Sequence, residues 1–149
     1  MMYRSVEPTF VEFLPDVLEG GLLYVSMEHG MVAHRCCCGC GSPVYTPLTP
    51  TDWKIMYNGE TITLSPSVGS WELPCRSHYI IKANRIVVAG SWTDEQIVRE
   101  RQRDANAKKQ HYKTTIRKVV RTPQNEPSSK LSTRWWMRAW KQFRRAMPW

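Results

Sequence analysis

His34-Arg35-Cys36-Cys37-Cys38-Gly39-Cys40-Gly41 holds four of the chain's five cysteines, and the fifth, far downstream, opens Cys75-Arg76-Ser77-His78. Such density needs a chemical reason. Zinc prefers four thiolate or imidazole ligands in a tetrahedron, and one short cluster rarely supplies all four without strain. A second cluster from a distant segment completes the shell and staples the chain between. Gly39 and Gly41 suit a backbone that must curl about an ion and aim amides at sulfur. The two segments therefore read as halves of one zinc site, and the fold as a small structure closed by that site.

There are more candidate ligands than places. In an extended segment side chains alternate, so His34, Cys36, Cys38 and Cys40 share one side and Cys37 faces away. Cys36, Cys38, Cys40 and Cys75 are the expected thiolate ligands, with His34 and His78 either replacing one of them or standing beside the metal. The competing reading is disulfide bonding, which needs an oxidising compartment and leaves one of five cysteines unpaired. Met1 to Phe13 carries Glu7, Pro8 and Glu12 and no apolar run, so no signal peptide is expected.

The chain of 149 residues is 42% hydrophobic, enough for one core. No run approaches the 18 or so apolar residues of a membrane-spanning helix, so the expected location is cytoplasmic. The net charge of +8 is unevenly spread. Residues 1–112 hold 11 basic and 12 acidic side chains, whereas 113–149 hold 10 basic and one acidic. Four of the seven tryptophans, Trp135, Trp136, Trp140 and Trp149, also lie in that basic tail.

Hairpin signals recur through the first part. Leu22 to Met27 and Met31 to Cys36 flank Glu28-His29-Gly30 and deliver the cysteine cluster. Val44, Tyr45 and Leu48 among prolines suit an edge strand. Trp53 to Tyr57 and Thr61 to Leu64 flank Asn58-Gly59, two residues that accept positive φ. Ser65-Pro66-Ser67 reads as a turn, and a third hairpin turns at Ala83-Asn84. Phe10 to Gly21 reads as a short capping segment in which Pro15 limits any helix. Thr93-Asp94-Glu95-Gln96 has the form of a capping box, and the mostly polar helix it starts is expected to run on the surface to about Tyr112.

The expected class is α+β, mainly β. A small antiparallel sheet of hairpins stapled by zinc is followed by a surface helix and a separate basic C-terminal helix. The divisions are a zinc-stapled domain over 1–112, a basic, Pro/Ser-rich linker over 113–132, and a Trp-rich amphipathic helix over 133–149.

The words His34-x-Cys36-x-Cys38-Gly39-Cys40-Gly41, Leu64-Ser65-Pro66-Ser67 and Cys75-Arg76-Ser77-His78-Tyr79 resemble a bacterial and phage family catalogued as domain of unknown function 6527. The upstream Leu18-Glu19-Gly20-Gly21-Leu22-Leu23-Tyr24-Val25-Ser26 is similar to that family's entry strand. The resemblance covers roughly residues 10–112. It implies a bacterial or phage-infected cell, and a candidate peptidase encoded beside ubiquitin-like proteins and their activating and conjugating enzymes.

Two functions follow. The first is hydrolysis. A shell of four thiolates leaves zinc no open position for water, so the cysteine-rich site favours a serine mechanism. Ser65 or Ser67 would be activated by His78 or His34, with zinc holding the loop. Asp52 and Glu72 are the carboxylates nearest in sequence to these motifs, and neither is fixed as an orienting group. The second function is a non-catalytic zinc module that binds a partner. For the basic, aromatic tail the expected partners are protein or a second copy of the chain, nucleic acid, or an anionic membrane surface.

Overall fold

In the computed structural model, which describes residues 2–121, the hairpins form two four-stranded sheets. The first contains β1 (Glu7–Phe10), β2 (Leu22–Ser26), β3 (Met31–Arg35) and β4 (Pro43–Pro47), in that order. The second contains β5 (Lys54–Tyr57), β6 (Ile62–Gly69), β7 (His78–Lys82) and β8 (Arg85–Val88), again in chain order. One helix, α1 (Asp94–Arg121), follows. The architecture is mainly β with a C-terminal helix, as the sequence pattern requires, but the strands divide between two sheets.

Alternation explains how the sheets meet. Leu23 and Val25 of β2, Val32 of β3, Ile62, Leu64 and Val68 of β6, and Tyr79 and Ile81 of β7 form one buried cluster drawn from both sheets. Each fully buried aliphatic side chain of this kind stabilises the fold by about 1.5–3 kcal/mol. Tyr24 and Ala33, on the opposite face of the first sheet, pack with Leu18 into a smaller cluster edged by Val11 and Leu14.

Three local features depart from the sequence reading. Glu7–Phe10, unassigned there except for Phe10 at the start of the capping segment, is a strand paired in parallel with Leu22–Val25. Just before it, the amide of Val6 donates to Asn84 and the carbonyl of Arg4 accepts from Ile86, so the N-terminal segment joins both sheets. Pro8 hides this strand, since proline in a short polar run reads as a breaker; the parallel edge position tolerates it. Second, Ser65-Pro66-Ser67 is no turn. β6 runs through it with a register shift between Leu64 and Val68, and the Ser65–Pro66 peptide is cis. Third, α1 continues past Tyr112 to Arg121.

The Thr93 capping box forms: the Thr93 amide donates to Gln96 Oε1 at 2.8 Å and the Gln96 amide to Thr93 Oγ1 at 3.3 Å. Ile97 is buried at the start of an otherwise largely exposed helix. The described residues divide into two units, with the division between His111 and Tyr112. The linker and basic helix expected over 122–149 lie outside the described residues. No described helix is long and apolar enough to cross a membrane.

Candidate functional site

The cysteine halves meet. The sulfurs of Cys36, Cys38, Cys40 and Cys75 all lie within 4.8 Å of one another. Separations of 3.4 Å for Cys36–Cys38, 3.8 Å for Cys36–Cys75 and 3.7 Å for Cys40–Cys75 exclude disulfides among these pairs. They approach the roughly 3.8 Å edge of a tetrahedron whose metal–sulfur bonds are about 2.3 Å. The four cysteines are positioned to bind a metal ion, and the donor set suits a soft or borderline one.

The backbone that achieves this is not the extended segment expected. β3 ends at Arg35, and residues 37–40 form a turn in which Gly39 takes φ +87°, with Gly41 at +82° beyond it. On the other half, Arg76 adopts φ +43° as the chain doubles back after Cys75. Turn geometry, not strand alternation, separates Cys37 from the group: it is fully buried in the core, and burial pushes its thiol up to about 12. Hydrogen bonds from Ser42, side chain first, pull the neighbouring Cys40 thiol down to about 6. Cys38, through burial and then the adjacent sulfurs, is pushed up to about 12. Thiols so close cannot all ionise without a cation among them.

The two histidines stand elsewhere. His34 is fully buried, with Nε2 2.8 Å from the Tyr79 hydroxyl, and burial alone lowers it to about 4. It reaches neither the sulfur group nor a serine. His78 opens β7, and its Nε2 lies 2.9 Å from Ser67 Oγ. Its Nδ1 is 2.7 Å from the Gly90 carbonyl oxygen. Because a carbonyl only accepts, Nδ1 carries the proton, which leaves the Nε2 lone pair facing the Ser67 hydroxyl. Ser65, two residues before Ser67, is exposed and paired in register with Lys54.

Several parts of this arrangement were not readable beforehand. The Gly90 carbonyl orients the ring, whereas the two carboxylates nearest in sequence are engaged elsewhere. Asp52 bonds Thr49 Oγ1 and Lys108 Nζ, each at 2.5 Å, and Glu72 pairs with Arg101. Trp71 and Trp92 stack on each other and each contacts the His78 ring, with centroids 5.0 and 5.1 Å away. Gly69 is required for this: a Cβ there would lie 2.3 Å from Trp71 Nε1. Ser67 and His78 open on a cleft of about 210 Å³ walled by these tryptophans, Trp53 and the first turns of α1.

One segment links the two centres. Residues 70–77 connect β6 to β7, and Gly69 faces His78 in the register. Ser77 sits between the centres, with its hydroxyl 3.0 Å from Cys36 Sγ and its carbonyl accepting from the Ser70 amide.

A family model described as bacterial ubiquitination-like system serine protease (BubE) matches residues 10–89. No curated protein and no solved structure matches the chain. The match corrects the resemblance to domain of unknown function 6527: the family is a different, named one. Cysteine words alone misdirect here because closely spaced cysteines recur wherever a chain knots round a metal. With 80 of its 149 residues matched, including all four clustered cysteines, Ser67 and His78, the chain belongs to the BubE family of bacterial ubiquitination-like system serine proteases.

Proposed function

We propose that the chain is a serine protease in which Ser67 is the nucleophile and His78 the general base, acting on a protein of a ubiquitination-like system. The observation that carries this reading is the 2.9 Å contact between Ser67 Oγ and His78 Nε2, with Nδ1 held by the Gly90 carbonyl. Ser67 Oγ attacks the substrate carbonyl as its proton passes to Nε2. The same proton goes to the departing amine when the tetrahedral intermediate collapses, leaving an acyl ester on Ser67. Water, deprotonated by Nε2, then hydrolyses the ester. A carbonyl holds the ring's tautomer but stabilises the imidazolium less than a carboxylate would. The paired tryptophans against His78 limit its rotation and shield it from water.

Zinc is the metal we assign to Cys36, Cys38, Cys40 and Cys75, in a structural role. It would fix the 70–77 segment, which joins the two strands that carry the reacting side chains. His34 and Ser65 take no part in this scheme.

The test is labelling of the full chain with a fluorophosphonate, followed by peptide mass mapping. The expected result is a single adduct on Ser67 that forms about 100-fold or more slowly in His78→Ala. No adduct on Ser67, or one indifferent to His78, overturns the reading and leaves a zinc-stabilised interaction module.

A further inference from the structure

The cleft at Ser67 continues beyond the reactive pair. It shares Trp53, Gly69, Trp71 and Arg101 with a neighbouring groove of about 180 Å³, lined on one side by Pro43 to Thr46 of β4. β4 is the last strand of its sheet, so one of its edges lacks a β-strand partner among the described residues.

The direction of the backbone groups on that edge follows from hydrogen bonds at its ends. The Leu48 amide donates to Gly30, and the Ser42 carbonyl accepts from Cys36, both toward β3; the Pro47 carbonyl accepts from Trp53 on the opposite side. Backbone groups alternate along an antiparallel strand. Positions 44 and 46 therefore point toward β3, and 43, 45 and 47 point outward. Pro43 and Pro47 have no N–H. Tyr45 is left as the one residue of β4 that turns both a donor and an acceptor toward the groove.

The same parity holds on the facing wall. The Ser70 amide donates to Ser77, and the His78 carbonyl accepts from Ala89 just after β8, so Gly69 and His78 form a pair without mutual backbone bonds. The amide and carbonyl of Gly69 thus point away from β7. β5 pairs with β6 only from Ile62 to Ser65, and it does not cover them.

We propose that this groove holds an extended peptide, the unfolded tail of a protein substrate, added as a strand on the β4 edge at Tyr45 and passed along Gly69 to Ser67. The identification of the occupant as substrate rests on the serine protease reading above. Strand addition uses main-chain groups and so accepts many sequences. The flanking prolines block the long register that a folded partner's sheet edge needs, while a short extended segment fits between them.

The test uses full-length Ser67→Ala protein, which cannot cleave, titrated with an equimolar library of random decapeptides and followed by amide NMR. Saturable shifts are expected at the Tyr45 and Gly69 amides. Tyr45→Pro, which removes the outward N–H together with the side chain, should weaken binding about fivefold or more, and Tyr45→Ala, which removes the side chain alone, should leave it within about twofold. Retained metal and an unchanged β-sheet spectrum check the fold of each variant. Absence of a saturable shift at these amides overturns the proposal, as does equal binding by the Tyr45→Pro protein. Concentration-dependent broadening at Tyr45 without peptide would assign the groove to a second copy and likewise overturn it. Fluorophosphonate labelling of the wild-type chain separates the two ideas. Ser67 labelled without peptide shifts leaves the serine chemistry standing and removes the groove. Peptide shifts with Ser67 unlabelled keep the groove as a peptide site and remove the protease reading.

Discussion

The sulfur cluster and the Ser67–His78 pair share residues 70–77, which carry Cys75 and join the strands of Ser67 and His78, yet the two are built on opposite principles. At the cluster, four like groups are forced together by turns with positive φ, an arrangement that is costly until an ion neutralises it. At the reactive pair, two unlike groups meet across a register shift between neighbouring strands and share a hydrogen bond, with an open cleft in front. One region derives its value from being fixed, the other from being ready to react. The difference teaches that, on the proposed reading, a metal held at the cluster would support catalysis without touching the substrate.

Separating the two centres by mutation gives the largest expected effect. Ser67→Ala should lower turnover by about 10⁴-fold or more while metal content and melting temperature stay unchanged. If metal is lost as well, the two regions are one. The converse change, Cys36→Ser or Cys75→Ser, should abolish stoichiometric metal by elemental analysis and destabilise the fold by several kcal/mol in denaturant titration. Serine labelling should then fall with the loss of metal, so full labelling of metal-free, folded protein would break the proposed support.

A subtler change probes the contact between Gly69 and Trp71. Gly69→Ala drives a methyl group into the indole, which must move from beside His78. We expect a stability loss of about 1–3 kcal/mol and slower fluorophosphonate labelling, with metal content retained. The smallest effect is expected at Asp52, on the cleft rim. Burial opposes ionisation there, but Lys108 and Thr49 outweigh it and hold the carboxyl below its usual range. Its stabilising contribution is therefore present above the unfolded value, about 3.9, and lost as pH falls through the lower folded value. Asp52→Asn should cost about 0.5–1 kcal/mol at neutral pH and flatten that part of the acid limb in urea titrations.

Much of the fold was legible because it rests on local chemistry. Asn58-Gly59 and Ala83-Asn84 mark their hairpins through turn residues, and Thr93-Gln96 marks the helix start through its own hydrogen bonds. β1 was not legible, since its pairing depends on a partner strand 15 positions away and its own four residues include a proline. At the site, residue types were readable and distances were not. Ser65 and Ser67 look alike in the sequence, and only the register shift in β6 brings one of them to His78. The group of four cysteines was reached through alternation along a strand that in fact ends at Arg35. The Gly90 oxygen carried no signal at all, because every residue has a carbonyl.

That oxygen has a genetic consequence. A side-chain partner for His78 could be deleted by a single codon change, but a main-chain oxygen is present whichever residue occupies position 90. Drift can disable the ring's support only by displacing the chain between the last strand and the helix. Natural variation there should therefore be permissive in residue identity and intolerant of insertions or deletions.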